Sequence, residues 1–220
     1  MKNTTLLLSA ITLATGLFAT TAATAVEGLS ANAAVSNNYI WRGLTQTDDQ
    51  AAVSGGIDYA AASGFYAGGW VSNVDFGDET NSELDLYVGY GFEVDAFTFD
   101  VGYLSYIYSD GEDLDFSEIY ASVSFDFLTV GFNILAESDY GSDFGDDTYA
   151  YADFAFEVSK DLELGLHIAN STYDDGAFAS DYVDYGVSLS KNNFTFAITD
   201  TDKSGSDVNF AISYAVDFDL

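Results

Sequence analysis

Nine carboxylates of this chain, Asp58, Asp85, Glu93, Asp100, Glu118, Asp153, Glu157, Glu163 and Asp184, share one setting: each falls on the polar side of a stretch in which alternate residues are apolar. The single histidine, His167, and Arg42 fall on that side too. A period of two puts such residues on one face of a strand. If those faces line the inside of a closed sheet, the carboxylates form rings that attract cations and repel anions. The expected lining set is Arg42, Asp85, Asp100, Glu118, Asp153, His167 and Asp184. Asp100, Asp153 and Asp184 are expected near mid-height, and Asp85 and Glu118 nearer the outer mouth. Arg42 is expected to pair with carboxylates of the interior or to touch solute.

Other chemistry finds little support. His167 is the one imidazole, its neighbours on the same face are Gly165 and Ala169, and no G-x-S-x-G element accompanies it, so no catalysis is expected. With no cysteine there is no thiol nucleophile, thiolate ligand or disulfide. Further acids gather in polar segments, as at Asp48-Asp49, Asp78-Glu79, Asp110 to Asp115, Asp139 to Asp147 and Asp174-Asp175. None has the spacing of an EF-hand, so no cofactor or metal centre is expected, although such oxygen-rich loops could hold calcium or magnesium weakly. A formal net charge of −31 sets the chain against nucleic-acid phosphates.

The elements that must position these residues are strands. Clear rows include Leu84-Leu86-Val88-Tyr90-Phe92-Val94, Phe97-Phe99-Val101-Tyr103, Ala150-Ala152-Phe154-Phe156-Val158 and Val208-Phe210-Ile212-Tyr214-Val216-Phe218-Leu220. Weaker rows precede them: Leu29-Ala31-Ala33-Val35 leading to Tyr39 and Trp41, Val53-Gly55-Ile57-Tyr59, and Tyr66-Gly68-Trp70 with Val74 and Phe76. Short turns near Ser63, Asp95-Ala96, Phe127-Leu128, Lys160 and Asn192 alternate with longer polar segments, the asymmetry of outer-membrane barrels. The expected fold is all-β: one antiparallel up-and-down transmembrane barrel of twelve strands over residues 26–220, both termini periplasmic. Residues 1–25 read as a cleaved export signal, with Lys2, an apolar Leu6 to Phe18 and the small residues Ala23-Thr24-Ala25.

The apolar rows are expected to face lipid, because twelve strands enclose more space than side chains readily fill. Tyr39, Trp41, Trp70, Phe76, Phe97, Phe127, Phe194 and Phe218 then read as rim aromatics. The implied partners are the lipid bilayer with its lipopolysaccharide, the machinery that assembles outer-membrane barrels, and small solutes or cations.

The segment Val35-Ser36-Asn37-Asn38-Tyr39-Ile40-Trp41-Arg42-Gly43-Leu44-Thr45-Gln46-Thr47, with the GGIDYAAASGFYAGGWVSNVDF that follows and Glu83 to Tyr90, resembles the TorF-type porins, a bacterial family of uncharacterised outer-membrane proteins. The likeness is specific over the first third of the mature chain and general beyond it. It implies an outer-membrane barrel with channel function and names no substrate. The sequence thus points to a narrow, cation-preferring porin-like channel; an adhesin or receptor acting through the acidic loops is the alternative.

Overall fold

The computed structural model describes residues 27–111, 113–174 and 180–220; the export signal expected at 1–25 lies outside them, as do Glu112 and Asp175 of the acidic loops. Every regular element among the described residues is a strand. The chain forms β1 (Leu29–Ser36), β2 (Ile40–Trp41), β3 (Leu44–Thr45), β4 (Ala52–Ala60), β5 (Phe65–Asn73), β6 (Ser82–Val94) and β7 (Phe97–Tyr108). It continues through β8 (Phe116–Phe125), β9 (Leu128–Ser138), β10 (Thr148–Ser159), β11 (Leu162–Thr172), β12 (Tyr182–Lys191), β13 (Phe194–Thr201) and β14 (Asn209–Asp219). All but β2 and β3 belong to one closed antiparallel barrel of twelve strands, in which β1 pairs with both β4 and β14. Closure leaves no unpaired strand edge.

The connections differ at the two ends. At one end the hairpins turn within two to four residues, and Gly64, Asp95, Asp126, Asp161 and Asn192 take positive φ there. Short polar side chains tolerate this left-handed conformation by bonding locally, which explains Asp and Asn at these points. The longer connections gather at the opposite end, the loop end. The described chain enters and leaves the barrel at the turn end, where Ser30 pairs with Asp219.

The outside is apolar all round. Val53, Ile57, Leu86, Val88, Phe132, Leu166, Phe196, Phe210 and Ile212 are 40–65% exposed. Such a continuous belt far exceeds the patches of a few hundred Å² that soluble monomers tolerate. Phe97, Phe127, Phe194 and Phe218 also face outward, whereas Phe76, in the loop after β5, packs on Tyr108.

Three expectations for this outer face are corrected. Tyr39 is buried inside, and the half-buried Trp41 packs inside on Tyr106 and Phe116. The row Tyr66-Gly68-Trp70 points inward, with Tyr66, Trp70 and Val74 all buried, while Phe65 and Val71 of β5 are exposed. The first strand ends at Ser36, so Tyr39 and Trp41 do not continue it. The physical reason is common to all three: an aromatic ring is apolar by count, yet Tyr and Trp satisfy their polar atoms inside a polar interior.

Candidate functional site

The site begins where β1 stops. Asn37 pairs by backbone and side chain with Phe210 and Ile212 of β14, after which the chain turns into the barrel. Residues 37–51, expected to continue the first strand to Trp41 and to form an outer loop only near Thr45–Gln50, descend as the β2–β3 hairpin, in which Ile40 pairs with Thr45 and Trp41 with Leu44. Its polar groups serve one another: Asn38 accepts from Thr45 at 2.7 Å and donates to Asp49 at 2.7 Å, and Thr47 accepts from the Tyr39 N–H at 3.1 Å. Ile40 is buried against Ala197 of β13 and Ala211 of β14, the wall beside β1.

The hairpin tip is Arg42 and Gly43, both with positive φ (49° and 78°). Such a turn favours Asn-Gly, so a left-handed arginine is a strained choice. Contacts across the lumen hold it. The Arg42 Nη2 lies 2.6 and 2.8 Å from the two Glu118 carboxylate oxygens. Its guanidinium sits 4.2 Å from the Trp41 ring centre and 4.1 Å from that of Tyr149. The Tyr182 hydroxyl donates to the Arg42 carbonyl at 3.1 Å, and Asn209 to the Gly43 carbonyl at 2.9 Å. Gly43 lies so close to the wall that a Cβ there would meet Thr201 at 2.6 Å and Asp184 at 2.8 Å.

The seven residues expected to line the interior all point into it: Arg42 pairs with Glu118, His167 gathers Asp153 and Asp184, and Asp85 and Asp100 stand outside both ion-paired sets. Glu118, buried on β8, accepts from Arg42 and from Asn133 at 2.9 Å. His167 on β11 bridges two carboxylates, Nδ1 to Asp153 at 2.5 Å and Nε2 to Asp184 at 2.8 Å, with the Tyr149 hydroxyl 3.0 Å from Nε2. Asp85 and Asp100 are buried, and each keeps one carboxylate oxygen without a hydrogen-bond partner. The Tyr66 hydroxyl donates to the other Asp100 oxygen at 2.7 Å and meets that of Tyr120 at 2.5 Å. Asp58 accepts from Tyr87 and Asn32. Glu93, Glu157 and Glu163 stand exposed at the turn end.

Sequence reasoning missed two contributors. Glu83, buried on β6, accepts from the Tyr39 hydroxyl at 2.6 Å. It shares a face with Asp85, so its two-residue spacing was a sufficient signal. The second is a set of tyrosines lying flat on the inner wall. Tyr87, Tyr66, Tyr120 and Tyr151 stand directly across from Gly68, Gly89, Gly102 and Gly131 on the adjacent strand. A Cβ at any of these glycines would come within 2.2 to 2.5 Å of the tyrosine ring or hydroxyl. Glycine therefore lets each ring hug the wall and not fill the lumen. Outside the barrel wall, Tyr140 and Asp147 hydrogen-bond at 2.8 Å in the loop before β10, and burial raises the proton affinity of both above its ordinary value.

The arrangement is a closed barrel whose interior is lined by carboxylates, tyrosines and one inserted arginine. Residues 19–218 match the family model described as a bacterial protein of unknown function, Gcw_chp, so the chain belongs to that family. No curated protein matches the chain. Among solved structures, the KdgM porin aligns at TM-score 0.57 and 13% identity, over 87% of this chain and 99% of its own. The KdgM porin in complex with disordered oligogalacturonate aligns at TM-score 0.55 and 12% identity, over 87% and 98%. These likenesses establish a shared barrel fold.

Proposed function

We propose that this protein is a narrow porin-like channel of the bacterial outer membrane, passing small solutes or ions with a preference for cations, and that its β2–β3 hairpin forms the constriction. One observation carries the reading: a closed barrel with an apolar outer belt turns Asp85, Asp100, Glu118, Asp153 and Asp184 inward and receives Arg42 and His167 as the inward basic groups of its strands and hairpin. Backbone groups can cross hydrocarbon only when paired, as closure ensures here. In this reading residues 1–25 direct export, the turns and both termini face the periplasm, and the long loops face outward among lipopolysaccharide. The TorF-type likeness of Val35 to Thr47 supports the same reading, since that segment is the inserted loop.

The KdgM complex holds an acidic oligosaccharide. Inward carboxylates would repel such a ligand, so the solute of this chain is of opposite sign or neutral. The protein is expected to fractionate with outer membranes, to migrate differently on gels before and after heating, and to give discrete conductance steps in planar bilayers. Solubility without detergent would contradict it. Gly43→Val adds bulk where Thr201 and Asp184 leave none and where φ is positive, so it should expel the hairpin and raise single-channel conductance severalfold. Unchanged conductance would remove the hairpin from its role as the constriction.

A further inference from the structure

Beside the Arg42–Glu118 pair lies a second pair of buried carboxylates that it does not neutralise. Glu83 and Asp85 point inward from β6, each 2% exposed. The ion pairs formed among the described residues engage Glu118, Asp153 and Asp184, and none reaches Glu83 or Asp85. Glu83 is hydrogen-bonded by Tyr39, but the Asp85 Oδ1 is buried with no partner. A carboxylate withdrawn from water and left without a partner is strongly disfavoured, so the site calls for a compensating group.

The walls indicate which kind. Asp85 stands directly across from Trp70 on one neighbouring strand and from Tyr106 on the other. Tyr39, Tyr87 and Tyr108 also lie within electrostatic reach of its carboxylate. The Tyr39 and Trp70 rings meet edge to face, 5.4 Å apart. No group of three or more acidic, histidine or cysteine side chains among the described residues is arranged to hold a metal ion. Carboxylate at the base with tyrosine and tryptophan around it is the environment of an organic cation, whose charge meets the carboxylate while its hydrocarbon meets the rings. The same interior already holds one such cation: Arg42 lies between the Trp41 and Tyr149 rings on Glu118.

We propose that the buried cluster of Glu83, Asp85, Trp70 and Tyr106, covered by Tyr39 of the inserted loop, is a binding site for a small alkylammonium or guanidinium compound, the class of solute this pore selects. The proposal rests on the channel reading for its role in transport, but not for binding itself. Tyr39 belongs to the inserted loop, so occupancy and loop position are coupled.

The test is a titration of the purified, detergent-folded full chain with n-butylammonium chloride, followed by tryptophan fluorescence. Trp70 and Trp41, the two tryptophans of the chain, both border the site or the loop that closes it. Sodium chloride, magnesium chloride and n-butanol serve as controls. Saturable change with butylammonium alone is expected, weakened at least tenfold in Asp85→Asn and in Glu83→Gln, and unaltered in Asp200→Asn on the outer face. Heat-dependent gel migration verifies that each variant is folded, and Glu83→Gln decides the matter if Asp85→Asn is not. No saturable change, equal saturation by sodium or magnesium, or binding untouched in the folded variants would overturn the proposal. Binding without bilayer conductance would sink the channel reading and spare the site; conductance without binding would do the reverse.

Discussion

At the loop end of the barrel the inward side chains are buried, most of them large or charged: Glu83, Asp85, Tyr106, Glu118, Tyr149, Tyr182 and Asp184, with the smaller Ser171 and Thr201 between them. At the turn end the same strands carry Glu93, Ala155, Glu157 and Glu163 inward, and these are exposed to the lumen. There, small hydroxyl pairs such as Ser124–Thr129 at 2.8 Å and Ser190–Thr195 at 3.0 Å coat the wall. The two ends share one hydrogen-bonded sheet, so the difference comes from what fills it. A twelve-stranded barrel leaves free space, and the chain spends its first long loop to close that space at one end only. In the proposed channel the loop end would therefore set selectivity and conductance, with the turn end as its vestibule.

The strongest way to break this contrast is to remove the pin of the hairpin. Arg42→Ala leaves Glu118 buried without its cation, and breaking such a pair costs about 3–5 kcal/mol. Reversible unfolding in detergent should show a loss of that order, while Glu118→Gln added to Arg42→Ala should recover most of it. A loss below about 1 kcal/mol in the single variant would mean that water already reaches Glu118 and that the loop end is not closed.

Next in size is the outer wall, which serves both ends alike. Val88→Arg at mid-belt should cost about 2–4 kcal/mol if that face meets hydrocarbon. A neutral result would place Val88 away from lipid.

The smallest effects sharpen the comparison on a single wall. Ala169 is 4% exposed on β11 near the hairpin, whereas Ala155 on the neighbouring β10 is exposed in the vestibule. Ala169→Leu should cost about 1–3 kcal/mol through overpacking. Ala155→Leu should change stability by less than about 0.5 kcal/mol. Equal costs would erase the distinction.

Much of this was legible in the alternation. From β6 to β14 the apolar rows fall outward as read, and with them Asp85, Asp100, Glu118, Asp153, His167 and Asp184 fall inward. Period two fixes a face without any knowledge of neighbours. β5 was read inverted because both of its faces are apolar by count. Only partners distant in sequence, Asp100 for Tyr66 and Tyr39 for Trp70, decide which face turns in. The hairpin left a local trace in Ser36-Asn37-Asn38, which interrupts the first strand, and in Arg42-Gly43, a two-residue turn between short apolar pairs. Its direction into the lumen was not legible, since its partners Glu118, Tyr149, Tyr182 and Asn209 lie 76 to 166 positions away along the chain.

The central claim, that inward carboxylates govern what passes, is tested most directly by the reversal potential across a salt gradient in a planar bilayer. Wild type and the combined Asp100→Asn, Asp153→Asn and Asp184→Asn variant should be compared in dilute electrolyte, because screening over about 8–10 Å weakens selectivity as salt rises. The account predicts a cation-selective wild type whose preference falls markedly in the triple variant. An anion-selective wild type, or a cation preference untouched by the three substitutions, would contradict it.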